Sequence, residues 1–300
     1  MRLDLGLNLG CFNGNVLMGV LDFLSVSGAA AYSLRKLRTA YTGNAIRVRR
    51  SSDSAELNIG FTSSGDLDTT ALLAHVGAGN GFVTTWYDQS GNGRNATQTT
   101  AGSQPQIVNS GVLQTQGGKP AILFDGVDDY LAAASPLIGT THSLFILFTP
   151  TIENEFGTVF GQWKSGENGR FYVIANQESA GPISAGRLNV ANTTATGGNG
   201  TNGLAADVAI SNTLTLITSI STTGSEQWKL FKNGAEWDSA TITTVFTGVN
   251  SAIGSSNGTG SSNPFEGTVS ELISFPSVLS TTNRQNLERN EGKYYSITVA

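Results

Sequence analysis

The sequence predicts an all-β protein, a jelly-roll β-sandwich with a few short peripheral helices and an N-terminal extension. Charged residues are 13% of the 300 residues, against about 25% in average proteins, and glycine contributes 37 residues. From residue 143 onward, short apolar runs alternate with Gly- and Asn-rich turns, which is the spacing of strands in a sandwich. Sandwiches of this length are commonly single domains, so we expect one main domain.

The predicted strands are defined by apolar runs or by apolar–polar alternation between turns. In residues 45–50, for example, Ile46 and Val48 alternate with Arg47 and Arg49, and Asn233-Gly234 is a strong signal for a hairpin turn. The expected strands cover residues 45–50, 82–87, 104–108, 120–124, 143–148, 157–163, 170–175, 214–220, 228–234 and 265–275. The stretch 191–203 is low in complexity and is expected to be a long exposed loop.

Three short helices are predicted at positions outside the strand pattern. Residues 29–38 place Ala30, Leu34 and Leu37 at helical spacing, with cations toward the end. Residues 68–76 form a second helix with Asp68 as N-cap, and Ser280 caps a closing helix.

Composition argues against several classes of function. The net charge of −5 does not suit a phosphate-binding surface, so nucleic acid is not an expected partner. The single cysteine, Cys11, excludes an internal disulfide framework. The two histidines, His75 and His142, lie far apart, and no spacing of cysteine and histidine suggests zinc.

The first 28 residues are interpreted as an attachment segment, followed by the main domain at 29–300. Residues 16–25 are largely apolar and faintly resemble a signal peptide, but polar residues interrupt the segment. No apolar run approaches the ~18–20 residues that span a bilayer. Apolar side chains of this segment, such as Val16, Leu17 and Phe23, are expected to pack against a neighbouring subunit.

The stretch W-Y-D-Q-S-G-N-G-R-N-A-T-Q, residues 86–98, predicts a tight turn after a strand, with polar groups beside aromatic faces. That combination suits a sugar, which offers hydroxyls at its rim and C–H groups on its face. The candidate carbohydrate-binding residues are Trp86, Tyr87, Asp88, Gln89 and Asn92, with Trp163 and Trp237 as further candidates. The alternative is that the turn is a rigid corner of the sandwich.

A second turn, D-G-V-D-D-Y-L at residues 125–131, places three aspartates within five positions. Asp125, Asp128 and Asp129 are weak calcium candidates, because that ion prefers hard oxygen ligands. The alternative is that these carboxylates cap the turn through hydrogen bonds.

Four blocks carry a likeness to a known family. The segments A-Y-S-L-R-K-L, Y-T-G-N-A-I-R-V-R-R-S-S-D, W-Y-D-Q-S-G-N-G-R-N-A-T-Q and G-K-P-A-I-L-F-D-G-V-D-D-Y-L resemble the catalytic-domain framework of fungal-type α-L-arabinofuranosidase B. The second half resembles the wider concanavalin A-like lectin/glucanase superfamily, which implies a concanavalin A-like jelly roll. Sequences with this opening also look like virion proteins of tailed bacteriophages.

The enzyme family implies a retaining hydrolase with two carboxylates roughly 5 Å apart. Where the resemblance would place the nucleophile, this chain has Ala191, and where it would place the acid/base, it has Ser255 or Ser256. Neither alanine nor serine can replace a carboxylate in these roles. The chain is therefore expected to have no catalytic residues at these positions. A binding protein is favoured over an enzyme.

The expected function is a non-catalytic phage virion protein in a fibre, spike or capsid decoration, exposed on the virion and binding a host-surface glycan. It is also expected to contact other virion proteins through residues 1–28 and to form a homo-oligomer such as a trimer. A purely structural virion protein is a further possibility. The alternative is a glycoside hydrolase, secreted and acting on arabinose-containing polysaccharide, with carboxylates drawn from Asp88, Asp125, Asp128, Glu178 and Glu266.

Overall fold

A computed structural model describes the chain at residues 19–24, 26–133, 135–151, 157–162, 170–175, 187–193, 203–209, 213–222, 227–241, 250–257 and 263–300. Within these ranges the chain is a β-sandwich in which every strand pairing is antiparallel. The sequence prediction of an all-β sandwich is therefore confirmed.

The described strands, in chain order, are β1 (Ala30–Ser33), β2 (Ile46–Arg50), β3 (Glu56–Ile59), β4 (Gly81–Trp86), β5 (Ala96–Thr97), β6 (Gln106–Asn109), β7 (Val112–Leu113), β8 (Thr115–Gln116), β9 (Lys119–Pro120), β10 (Ile122–Asp125), β11 (Leu131–Ala133), β12 (His142–Pro150), β13 (Thr158–Gln162), β14 (Arg170–Ala175), β15 (Arg187–Thr193), β16 (Gly203–Ala209), β17 (Thr215–Ser221), β18 (Gln227–Lys232), β19 (Ala235–Thr241), β20 (Ser251–Ile253) and β21 (Glu266–Phe275). The helices are α1 (Thr69–Val76) and α2 (Thr281–Tyr295), with a 3₁₀ turn at Ala101–Ser103.

The first layer of the sandwich is organised around β21. One edge of β21 pairs with β10 and then with β1, and its other edge pairs with β12. The layer continues from β12 through β17 and β18 to β19.

The second layer contains β11, β20, β13, β14, β15 and β16, each paired with the next. Strand β5 pairs with both β11 and β4, which connects this layer to the strands β2, β3, β4 and β6.

The larger hydrophobic core lies between the two layers. Leu144, Ile146 and Leu272 of the first layer meet Phe160 and Ile253 of the second, and all five are at most 1% exposed. Residues 144–148 of β12 are all apolar and buried, and because every second side chain of a strand faces the same way, Leu144 and Ile146 both face the larger core.

A smaller core lies behind the first layer and is covered by α2 and by residues 19–24. Val20 and Leu21 pack there with Phe145, Ile273 and Leu287. Part of the predicted attachment segment thus packs against the sandwich, whereas residues 1–18 lie outside the described chain. The division of the chain at residue 28 stays a prediction.

The predicted helix at residues 29–38 is wrong. Ala30–Ser33 is strand β1, fully buried and paired with β21 from Ala30 opposite Ser274 to Ser33 opposite Glu271. Local helix propensity is a weak preference, and pairing with a central strand overrides it.

The other two helices and the hairpin are confirmed. Asp68 accepts a hydrogen bond from the amide of Ala71 at the start of α1, and Ser280 accepts one from the amide of Asn283 at the start of α2. Asn233 and Gly234 have φ of 48° and 82°, as the tight hairpin turn requires. In the described ranges, neither helix combines the length and apolarity that crossing a bilayer requires.

Candidate functional site

The turn after β4 is organised by the carboxylate of Asp88, which is 5% exposed. Its Oδ1 accepts hydrogen bonds from the amides of Ala31 at 2.9 Å and Ser90 at 2.8 Å. Its Oδ2 accepts from the amide of Arg94 at 3.0 Å and from the Ser90 hydroxyl at 2.8 Å. Asp88 thus holds the turn closed and joins it to β1.

Gln89 performs a similar task for the segment that follows β1. Its Nε2 donates to the carbonyls of Ser33 and Arg35 at 3.0 and 2.9 Å, and its Oε1 accepts from the amide of Leu37 at 2.8 Å. The side chain is 1% exposed, so these bonds occupy its polar atoms inside the protein.

The predicted sugar site is therefore only partly at the surface. Trp86 is fully buried against Tyr32, with ring centroids 5.9 Å apart. A sugar finds no accessible surface on Trp86, Asp88 or Gln89, because these side chains are buried and contact other parts of the fold, including β1. Tyr87 is half-buried and Asn92 is exposed, so a glycan contact at this turn stays a prediction for those two residues.

The two further tryptophan candidates differ in what the structure describes. Trp237 on β19 is half-buried, packs partly against the larger core, and lies 5.6 Å from the ammonium group of Lys232. Trp163 lies outside the described residues.

The acidic turn after β10 is held by its own carboxylates. Oδ1 of Asp125 accepts from the amides of Val127 and Asp128, and Oδ2 of Asp129 accepts from the amide of Asp125 at 3.0 Å. Oδ2 of Asp128 accepts from the hydroxyl of Ser103 at 2.9 Å. These bonds support the turn-capping interpretation of the three aspartates.

The three carboxyl groups also lie close together, with ligand atoms within 4.8 Å of one another. Calcium takes six to eight oxygen ligands. Several oxygens of this cluster already accept hydrogen bonds, so the cluster supplies only part of such a shell.

The carboxyl group of Asp129 has an altered pKa. Burial, reinforced by the nearby Asp125 carboxylate, raises the pKa of Asp129 to about 7.

In the pairing of β10 with β21, Asp125 stands directly opposite Glu266. Side chains so placed have Cβ atoms about 4.5–5.5 Å apart, and two like charges there are destabilising. Asp125 is exposed and Glu266 is half-buried, so both side chains reach the surface.

The positions at which the resemblance would place carboxylates are both in the second layer. Ala191 is in β15, opposite Tyr172 of β14 and Gly203 of β16. Ser255 follows β20 and is fully buried. Gly254 has φ of +86°, and a Cβ there would lie 3.0 Å from the carbonyl oxygen of Asp129. The Ser255 segment therefore packs directly against the acidic turn.

Sequence reasoning missed a buried charged cluster between α2 and the first layer. Arg35 and Glu271 form an ion pair at 2.9 Å although they are 236 residues apart, so no local pattern indicates it. Arg284 and Glu288 form a second pair at helical i, i+4 spacing, which was the available signal.

Residues 25–139 match the family model of the catalytic domain of α-L-arabinofuranosidase B. An α-L-arabinofuranosidase of Hypocrea jecorina is 34% identical over 138 residues, which are 43% of this chain and 27% of that protein. A probable α-L-arabinofuranosidase B of Aspergillus terreus is 38% identical over 131 residues, which are 41% of this chain and 26% of that protein. The matches thus span about a quarter of the length of these relatives.

Solved structures extend the likeness to most of the sandwich. A GH54 α-L-arabinofuranosidase soaked with a cyclic sulfate inhibitor superposes with a TM-score of 0.67 and 16% identity, over 90% of this chain and 63% of that one. An arabinofuranosidase complexed with arabinofuranosyl-α-1,2-xylobiose gives a TM-score of 0.66 at the same identity and coverage. At this identity the likeness shows the fold, and it confirms the jelly-roll prediction.

These findings correct the expected function. A non-catalytic phage virion protein is the wrong expectation, because the family model and both fungal relatives are arabinofuranosidases. The expectation that the chain is more often a binding protein than an enzyme is overturned by the same matches, and a virion location has no support. Residues 25–139 are similar in sequence to the catalytic domain of α-L-arabinofuranosidase B, and the sandwich shares its fold with GH54 α-L-arabinofuranosidases.

Proposed function

We propose that the chain is a glycoside hydrolase that removes arabinofuranosyl groups from polysaccharide. The observation that carries the proposal is the match of residues 25–139 to the arabinofuranosidase B catalytic domain. That block contains the turn at Asp88 and the acidic turn at Asp125, and both are well ordered by their own hydrogen bonds.

Hydrolysis of a glycosidic bond with retention needs two carboxyl groups about 5–5.5 Å apart. Ala191 and Ser255 supply none, so the pair must come from other positions. Asp88 is unsuitable, since it is buried and both of its oxygens accept hydrogen bonds from the turn. Asp125 and Glu266 are opposite each other on neighbouring strands and both reach the surface.

We therefore propose Asp125 and Glu266 as the carboxylate pair. Asp125 is the more exposed and is assigned as nucleophile, and the half-buried Glu266 is assigned as acid/base. Like charges opposite each other cost stability in a sheet, and such costs are tolerated where function requires them. The pKa of Asp129 in the same turn is about 7, so its carboxyl group can exchange a proton at neutral pH.

The test is release of nitrophenolate from 4-nitrophenyl α-L-arabinofuranoside, together with release of arabinose from arabinofuranosyl-xylobiose. We expect turnover by the unchanged chain, and a fall in kcat/KM of roughly 100- to 10,000-fold in Asp125→Asn and in Glu266→Gln. Glu236→Gln removes an exposed carboxylate far along the sheet on β19 and is the matched control, with activity unchanged.

Each outcome has a distinct meaning. Turnover that survives both substitutions would remove Asp125 and Glu266 from the mechanism, and Glu178→Gln would then test an acid outside the described residues. Absence of turnover, with binding of the same oligosaccharide detected by calorimetry, would reject hydrolysis and leave a glycan-binding domain. Absence of both would reject the proposal altogether.

The proposed substrate also bears on location and assembly. A polysaccharide substrate is met outside the cell, so we propose secretion, the alternative already considered from the sequence. A homo-oligomer, and a trimer in particular, stays a prediction that size-exclusion chromatography with light scattering can test.

A further inference from the structure

Helix α2 covers the outer face of the first layer, and charged groups are buried beneath it. Glu271 of β21 is 1% exposed and accepts two hydrogen bonds at 2.9 Å from the guanidinium of Arg35. The same carboxylate accepts from the hydroxyls of Ser33 at 2.6 Å and Tyr295 at 3.2 Å. Glu271 is thus fully satisfied as a carboxylate.

A second buried carboxylate, Glu288 of α2, is also satisfied. Its Oε2 accepts from the guanidinium of Arg284 at 2.5 Å, and its Oε1 accepts from the hydroxyl of Thr218 at 2.8 Å. The guanidinium carbon of Arg284 lies 3.8 Å from the ring centre of Phe231. Both guanidinium groups of the cluster are therefore paired with a carboxylate.

The third carboxyl group, that of Glu291, is different. It is 1% exposed, both of its oxygens are buried, and neither receives a hydrogen bond from the residues that the structure describes. Its nearest charged neighbours are Glu271, Arg35 and Glu288, of which two are carboxylates.

A count of charges follows directly from these contacts. With every group ionised, the cluster holds three negative charges on Glu271, Glu288 and Glu291, and two positive charges on Arg35 and Arg284. A buried carboxylate without a partner is strongly unfavourable, whereas its acid form carries no charge and can donate a hydrogen bond to a nearby carboxylate. One bound proton would make the cluster neutral.

We propose that Glu291 carries a proton in the folded protein at neutral pH, and that loss of this proton at alkaline pH weakens the contact between α2 and the first layer. The charged groups that face Glu291 are Glu271 from β21, Arg35 from the segment after β1, and Glu288 from α2. Tyr295 of α2 contacts Glu271. At the outer edge of the cluster, Tyr294 contacts Arg35, Lys119 and Asp66.

The electrostatic setting agrees with this assignment. Burial first, and then the charge of Glu271, raise the pKa of Glu291 well above its ordinary value. Burial likewise raises the pKa of Tyr295, so that its hydroxyl keeps its proton and continues to donate to Glu271.

The direction of the pH effect follows from linkage. A glutamate whose pKa is raised by folding binds more protons in the folded than in the unfolded state. Its contribution to stability is complete below the unfolded pKa and is lost as the pH rises toward the folded pKa. Over that interval one such group changes the unfolding constant about tenfold per pH unit.

The experiment compares the full chain with Glu291→Gln, which keeps the shape of the side chain and removes its titration. Urea unfolding is measured from pH 5.5 to 9.5. We expect the variant to become progressively more stable than the unchanged chain as pH rises, by about tenfold in the unfolding constant per pH unit. Glu236→Gln, an exposed glutamate on β19, is the control and should leave the slope unchanged.

Glu288→Gln provides a contrast inside the same cluster. It breaks the bond from Arg284, so it should destabilise the protein throughout the range, without the gain at high pH. Parallel pH profiles for Glu291→Gln and the unchanged chain, or a Glu291→Gln variant that is less stable throughout, would overturn the proposal.

Hydrogen exchange on the unchanged chain tests the same idea without any substitution. After correction for the intrinsic rate, amides of α2 should lose protection between pH 6 and pH 9, while those of β12 should not. Equal protection of α2 at both pH values would also overturn the proposal.

Discussion

Asp88 illustrates how one buried carboxylate can organise a turn. Its two oxygens accept from three backbone amides and one hydroxyl. Two of its partners, Ser90 and Arg94, are close in sequence, but the amide of Ala31 is 57 residues away. The carboxylate therefore both caps the local turn and forms a tertiary contact with β1.

Replacing Asp88 with alanine should be strongly destabilising. The amides of Ala31, Ser90 and Arg94 would lose their acceptor, and an unsatisfied buried group costs about 1–3 kcal/mol. The contact with Ala31 is buried and the other two are only partly buried, so we expect a loss of roughly 3–5 kcal/mol in total. Asp88→Asn keeps one acceptor and should lose less. Urea unfolding measures both, with Glu236→Ala as an exposed control near zero; a loss no larger than that of the control would contradict this role of Asp88.

At the scale of elements, β13 and the segment after β20 approach each other unusually closely. Gly161 pairs with Tyr172 on one side and Ala252 on the other. A Cβ at Gly161 would lie 2.4 Å from the carbonyl oxygen of Ser256, which is backbone and cannot rotate away. The absence of a side chain at Gly161 is what lets this part of the second layer close.

Gly161→Ala should therefore force these two segments apart. Overpacking of this kind typically costs about 1–3 kcal/mol, and the rigidity of the opposing backbone places Gly161 toward the upper end. Gly102→Ala is the matched control, since nothing lies within 4 Å of a Cβ there. Equal melting temperatures for the two variants would show that the sheet accommodates the methyl group without cost.

At the scale of the whole molecule, the two hydrophobic cores share the same strands. Ile146 and Leu272 face the larger core, whereas the neighbouring Leu147 and Ile273 face the smaller one. Successive side chains of β12 and β21 belong to the two cores in turn. Unfolding of either core would therefore disrupt the strands on which the other core depends. The two cores should therefore unfold together.

A substitution in the smaller core tests this coupling. Leu21 is fully buried there, so Leu21→Ala should cost about 2–5 kcal/mol and shift a single calorimetric transition. Leu57→Ala, at a side chain that is 42% exposed, should change stability by about 0.5 kcal/mol or less. Two separate transitions, with only one moved by Leu21→Ala, would show that the cores melt independently.

Local sequence determined much of the architecture. The alternation of Ile46 and Val48 with arginines predicted β2, and Asn233-Gly234 predicted the hairpin turn between β18 and β19, because both signals depend on backbone geometry within a few residues. The caps at Asp68 and Ser280 were predictable for the same reason, since the bonded amide is three residues away. The acidic turn was predicted as a turn and is held by its own neighbouring amides.

Tertiary structure decided what those segments are used for. Residues 29–38 have helical spacing, yet β21 recruits Ala30–Ser33 as a strand. Trp86 and Gln89 are residue types typical of a sugar site, yet both are buried. Trp86 packs in the core, and Gln89 donates a hydrogen bond to Ser33 of β1. The opposition of Asp125 and Glu266 also depends on strand register. Periodicity and capping depend on residues that are neighbours in the sequence. Burial and the pairing of charges depend on residues that are distant in the sequence and that only folding brings together.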